Sequence, residues 1–107
     1  MSLSTMMNTA AQGMDAQASR LSAIADNIAN ADTPGYRREV SYLATLNPGS
    51  PQSVRATVRA ETDASGGIDP TTEMVDMIES AQSFALNASV FETGADLWQL
   101  LSTVKRD

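Results

Sequence analysis

Two apolar stripes at heptad spacing, one at each end of the chain, constrain this sequence more than any other feature. Leu3, Met7, Ala10, Met14, Gln17, Leu21, Ile24, Ile28 and Ala31 follow alternating steps of four and three, with one polar interruption. Met74, Met77, Ala81, Phe84, Ala88, Phe91, Ala95 and Trp98 do the same near the other end. Steps of three and four keep side chains on one face of an α-helix, so each stripe predicts a long amphipathic helix. Val75, Ile78, Ala85, Leu97, Leu100, Leu101 and Val104 widen the second stripe. The predicted helices run roughly 30 and 35 residues, about 45–55 Å at the α-helical rise.

Local signals bound both helices. Ser2 or Ser4 can cap the first, and Thr33-Pro34-Gly35 stops it, because proline disfavours helical geometry at Thr33 and glycine permits a left-handed turn. Gly13 weakens its early turns by about 1 kcal/mol relative to alanine. Asp69 is a good N-cap for the second helix, Pro70 suits its first position and Glu73 complements the macrodipole. Between them the helical period vanishes. Val40, Tyr42, Ala44 and Leu46 alternate with Glu39, Ser41, Leu43 and Thr45, then Asn47-Pro48-Gly49-Ser50-Pro51 reads as a turn. Val54, Ala56, Val58 and Ala60 alternate again, and residues 62–67 read as a polar linker. A lone hairpin is marginal in water, so it must lean on a helix or another chain.

The expected fold is therefore mainly α. Two long terminal helices pack antiparallel in coiled-coil fashion, with a small β-hairpin or extended insertion between them. Residues 1–33 form the N-terminal helix, 34–68 the hairpin and linker, and 69–107 the C-terminal helix, all in one structural unit. The antiparallel pair is the simplest way for one chain to cover both stripes. The heavy residues Leu97, Trp98, Leu100 and Leu101 point in several directions, so part of that surface should stay exposed and mark an interaction site.

Composition excludes several kinds of chemistry. The 107 residues contain no Cys and no His, removing thiolate catalysis, the commonest general base and the commonest metal ligand. No P-loop, dinucleotide fingerprint or nucleophile–base pair is present. No catalytic residue, cofactor site or metal site is assigned, and Asp15, Asp26, Asp76 and Glu79 read as solvated. Hydrophobic residues make up 42% but aromatics only 5%, so any core is light. Met6, Met7, Met14, Met74 and Met77 are soft packers within it.

The net charge of −6 is unevenly spread. Arg37, Arg38, Arg55 and Arg59 make the middle basic, whereas the stretch from Glu61 is acidic until Lys105 and Arg106. The acidic balance argues against nucleic acid as a partner. No apolar run reaches the length of a membrane span, and the first residues lack the pattern of a cleavable signal, so no membrane insertion is expected.

The run Ala25-Asp26-Asn27-Ile28-Ala29-Asn30-Ala31-Asp32-Thr33-Pro34-Gly35-Tyr36-Arg37-Arg38 resembles the N-terminal signature of flagellar rod, hook and hook-associated proteins. Glu73-Met74-Val75-Asp76-Met77-Ile78 and Ser83-Phe84-Ala85-Leu86-Asn87 resemble the C-terminal helix of the same family. The resemblance covers about two thirds of the chain and is nearest to the short proximal-rod proteins, although the middle segment is shorter than theirs. It implies paired terminal helices lining a tube, with copies of itself and other rod subunits as partners. It also implies export through the flagellar type III apparatus, without signal cleavage, to the periplasm-spanning rod of the basal body. The alternative is a soluble coiled-coil adaptor or assembly factor of the flagellar system. The expected assembly interface comprises Leu21, Ile24, Asn27, Ile28, Asn30, Pro34, Gly35 and Tyr36 on the first half. On the second it comprises Met74, Met77, Ile78, Phe84, Asn87, Phe91, Trp98 and Leu101. Arg37 and Arg38 are candidates to meet Glu73, Asp76 or Glu79 of another subunit, and Gly94 to admit another helix closely.

Overall fold

The computed structural model describes residues 2–47, 50–61 and 67–106; side chains are described for these except at 46, 47, 50–53, 105 and 106. The order of elements is α1 (Leu3–Ala29), β1 (Glu39–Asn47), β2 (Ser50–Ala60) and α2 (Pro70–Arg106). The body is elongated, 65 × 28 × 14 Å. The tip of the expected turn and most of the expected linker, residues 48–49 and 62–66, lie outside the described residues.

The helix boundaries follow from side-chain capping. Ser2 caps α1, its hydroxyl accepting from the Thr5 N–H at 3.1 Å. At the other end α1 stops at Ala29, earlier than the expected Thr33. Asn30 is the reason: its Nδ2 donates to the Asp26 carbonyl at 2.9 Å, and its backbone N–H bonds the same oxygen. An asparagine that competes for a backbone carbonyl ends a helix ahead of the proline. The chain then reverses through Thr33-Pro34-Gly35-Tyr36, closed by Tyr36 N–H to Thr33 C=O at 3.2 Å. Gly35 has φ +76°, the left-handed geometry of the third position of a type II turn with proline second. Asp69 caps α2, accepting from Thr71 N–H at 3.1 Å and the Thr72 hydroxyl at 2.9 Å.

The helices are antiparallel. Met7 faces Gly94, Gly13 faces Asn87, Arg20 faces Glu79 and Asn27 faces Glu73. A Cβ on Gly13 would lie 2.7 Å from Asn87 Nδ2, and one on Gly94 would lie 2.6 Å from Met7 Cγ. Both glycines therefore sit where a side chain of the opposing helix fills the space a Cβ would need, which explains the tolerated loss of helix propensity at Gly13.

The inner row of α2 is not the apolar stripe. Glu73, Ser80, Asn87 and Gly94, seven residues apart, face α1, and Glu73, Ser80 and Gly94 are buried. The stripe beginning at Met74 is offset from this row by one residue, about 100° around the helix. Met77 is half-buried beside the seam, and Phe84 and Phe91 flank it only partly covered. Met74, Val75, Ile78 and Trp98 are turned out, each more than half exposed. The pair thus covers the α1 stripe and leaves most of the α2 stripe open, so the exposure expected around Leu97, Trp98, Leu100 and Leu101 extends along most of that helix. Among the described residues the buried apolar core is Ala10, Ala16, Ala23 and Ile24, all on α1.

Among the described residues the hairpin packs on α1 and not on α2. On β2 the Val54 N–H donates to Gln12 Oε1 at 2.9 Å. The register pairs Val40 with Arg59, Tyr42 with Thr57 and Ala44 with Arg55. Directly paired residues share a face of an antiparallel sheet. The Val40–Tyr42–Ala44 row therefore falls on the opposite face from Val54–Ala56–Val58. Neither face is purely apolar, and the hairpin owes its position to α1 rather than to a core of its own.

Candidate functional site

At the end of α1 the backbone of β1 is held by one side chain. Asn27 is fully buried. Its Nδ2 donates to the Glu39 carbonyl at 2.8 Å, and its Oδ1 accepts from the Glu39 N–H at 2.7 Å. The amide thus pairs with both backbone groups of one residue, as a neighbouring strand would. Asn27 Oδ1 also accepts from the Tyr36 hydroxyl at 3.2 Å, and Nδ2 donates to Glu73 Oε2 at 3.4 Å. One side chain joins α1, the turn, β1 and α2.

Beside it lies an ionic cluster. The Arg38 guanidinium donates through Nε to Glu73 Oε1, through Nη1 to Glu61 at 3.3 Å and through Nη2 to Asp76 at 3.4 Å. The Glu73 side chain is 1% exposed and that of Arg38 25%, so this pair is poorly screened. Arg20 pairs with Asp76 at 3.5 Å and Glu79 at 3.4 Å on the solvent side. Asp76 and Glu79, expected to be solvated, are thus paired with arginines. Glu73 and Asp76, expected to meet Arg38 across a subunit boundary, meet it inside the chain instead, while Glu79 pairs with Arg20. Hydrogen bonding to Glu73 raises the Arg38 pKa further above its ordinary value.

Burial, with the negative charges of Glu39, Asp26 and Glu73 nearby, raises the Tyr36 pKa above 10.0. The folded state holds this proton more tightly than the unfolded chain. Its contribution to stability is therefore complete below pH 10 and is lost as pH rises through the higher folded value. In a Tyr42→Phe variant held folded by osmolyte, which leaves Tyr36 as the only tyrosine, phenolate absorbance should develop above the ordinary tyrosine range, and helicity should fall with it. Titration at the value of free tyrosine would contradict the packing described for this ring.

The expected interface residues divide into two groups. Asn27 and Tyr36 meet in the polar node, Ile24 is buried on α1, and Leu21, Ile28 and Asn30 are half-buried. Asn87 lies in the seam against Gly13. Pro34 and Gly35 are exposed in the turn. Met74, Ile78, Trp98 and Leu101 stand outward on α2, with Phe84 and Phe91 at the margin and Met77 half-buried. Beyond Gly94, α2 runs past the start of α1, and Trp98, Leu101, Ser102 and Val104 line an open apolar cleft there. Gly13, Arg20, Ser80 and the internal pairing of Arg38 with Glu73 belong to the helix contact but lie outside the expected set. The period-seven row Glu73, Ser80, Asn87 and Gly94 carried that signal, but it is polar and was overshadowed by the heavier stripe next to it.

Among the described residues no group of three or more acidic side chains is placed to hold a metal ion, and no helix is long and apolar enough to cross a membrane. The geometry offers an internally locked base and a long exposed apolar face.

Comparison with known proteins gives these features a context. Residues 7–37 match the family described as flagella basal body rod protein. Residues 65–104 match the C-terminal family of flagellar basal body rod FlgEFG proteins. The flagellar hook protein FlgE of Brucella abortus is 43% identical over 86 residues, covering 72% of this chain and 21% of the hook protein. That of Rhizobium meliloti is 48% identical over 46 residues, 43% of this chain and 11% of the relative. That of Caulobacter vibrioides is 31% identical over 96 residues, 89% of this chain and 15% of the relative. The chain thus spans about a fifth or less of the length of these hook proteins.

Proposed function

This chain belongs to the flagellar rod and hook protein family, and from that premise we propose that it is a structural subunit of the basal-body rod, assembling through its terminal helices. Its partners in this reading are copies of itself and other rod subunits, and it reaches the rod through the flagellar type III export apparatus without signal cleavage. It carries out no catalysis, binds no nucleic acid and does not insert into a membrane. Both family matches fall on the helices and the node between them, which supports the terminal helices as the working part of the subunit. The reading favours the rod because the segment between the matches is a short hairpin.

The observation that carries the proposal is the mismatch between core and surface. Inside the chain, three alanines and one isoleucine are the buried apolar residues described. Outside, Met74, Val75, Ile78, Leu97, Trp98 and Leu101 remain exposed along one helix. Burying a large side chain contributes about 1.5–3 kcal/mol and an alanine far less, so most of the available stabilisation lies on the uncovered face. Contiguous exposed apolar surface of this kind marks an interaction site. Helices this long with so little core are marginal alone.

The expected result is that dilute protein shows weak helicity by circular dichroism, with helicity rising with concentration as assemblies form in sedimentation. Co-purification with basal bodies is expected too, whereas an adaptor that acts before assembly would not co-purify. A cooperative, concentration-independent folded monomer would overturn the reading.

A further inference from the structure

We propose that the outer face of the hairpin, carrying Arg55 and Arg59, docks on the Glu92–Asp96 face of α2 in a second copy of this chain. The inference rests on the assembly reading and goes beyond it by naming a contact outside the apolar face.

Among the described residues these four stand outside the chain's own ion pairs. Every salt bridge among the described residues is made by Arg20 or Arg38. Arg55, Arg59, Glu92 and Asp96 are all exposed. The register places Tyr42 opposite Thr57, with Arg55 and Arg59 at the two diagonal positions on the same face. That face therefore presents an exposed aromatic ring between two cations. On α2, Glu92 and Asp96 lie one turn apart. At about 100° per residue, each points roughly 160° away from Gly94, the point of contact with α1. The same outward face continues through the small residues Ala85 and Ser89, which leave room for a sheet to approach.

These two surfaces do not meet within one molecule. Among the described residues the hairpin packs on α1 and not on α2, while the helical angle turns Glu92 and Asp96 away from α1. Opposite charges on different faces of one subunit make a heterologous contact, in which each copy offers its hairpin to one neighbour and its helix to another. Such contacts propagate as rings or helical filaments. Exposed ion pairs contribute only about 0–1 kcal/mol each, so the contact sets orientation and register while the apolar face supplies the affinity.

The test uses two reversed chains and their mixture. Arg55→Glu/Arg59→Glu makes the hairpin acidic, and Glu92→Arg/Asp96→Arg makes the helix face basic. Each variant alone places like charges across the contact. Each should need about tenfold more protein to assemble than the unaltered chain at low salt, the equivalent of about 1.4 kcal/mol. Mixed together they should co-assemble, because each hairpin again meets a helix of opposite sign. High salt should narrow the difference. Circular dichroism in a folding osmolyte controls for the monomer fold, which four exposed side chains should leave unchanged. If either variant alone assembles like the unaltered chain, or the mixture does no better than its parts, the contact is overturned while the assembly reading stands. If the unaltered chain does not assemble, the reading fails and the contact with it.

Discussion

Replacing Arg38 with methionine should nearly abolish the folded population of the isolated chain. The substitution keeps much of the side-chain bulk and removes the cation. It leaves Glu73, whose side chain is 1% exposed, without its charged partner. Removing one member of a buried pair costs about 3–5 kcal/mol, because the remaining charge stays out of water. Arg38 also ties Glu61 and Asp76, so the base of the hairpin and the first turns of α2 should loosen together. The measurement is osmolyte-induced folding followed by circular dichroism, since excluded osmolytes strengthen burial and draw a marginal chain into its native state. The variant should require far more osmolyte than the unaltered protein. Adding Glu73→Met should recover much of the loss, because two well-packed apolar residues can replace a buried pair at little cost. A single variant that folds like the unaltered chain would show that the cluster is only a surface decoration.

The second large effect is expected at Asn27. Asn27→Ala removes the donor and the acceptor that satisfy the backbone of Glu39. Each buried backbone group left without a partner costs about 1–3 kcal/mol, so the loss should be about 3 kcal/mol in total. Asn27→Asp separates packing from hydrogen bonding. It preserves the volume and the acceptor, but loses the bond to the Glu39 carbonyl and sets a second carboxylate beside Glu73. It should be as damaging as the alanine. Hydrogen exchange supplies the local readout: in osmolyte, the Glu39 amide should lose its protection in Asn27→Ala while amides in the middle of α2 keep theirs. If the Glu39 amide stays protected, another group holds β1.

Asn27 also shows why only part of the site was legible. The signature from Ala25 to Arg38 identifies a family and locates a helix end, because those properties rest on a contiguous string of residues. The use of each residue does not. Asn30 acts locally and shortens α1, as the competition between asparagine side chains and backbone predicts. Asn27, three residues earlier and chemically identical, acts at long range by holding a strand. Nothing in the string distinguishes the two roles. The charges behave alike: Arg38 and Glu73 were visible as opposite signs, but whether they meet within one subunit depends on the angle at which the chain turns through Pro34 and Gly35.

What the residues determined by themselves was the placement of the elements. Helix caps at Ser2 and Asp69, the stop near Pro34 and the loss of helical period between Tyr36 and Glu61 are local signals, and each is read over a few residues. The tertiary structure alone decided how α2 is rotated about its axis. Two rows one residue apart, the polar row from Glu73 and the apolar row from Met74, compete to face α1, and Met77, Phe84 and Phe91 lie near the boundary of both. Heaviness favoured the apolar row in isolation. The partners of Glu73, together with the side chains that fill the space at Gly13 and Gly94, favoured the polar one. A period identifies which residues share a face, but only the opposing surface decides which face is turned toward it.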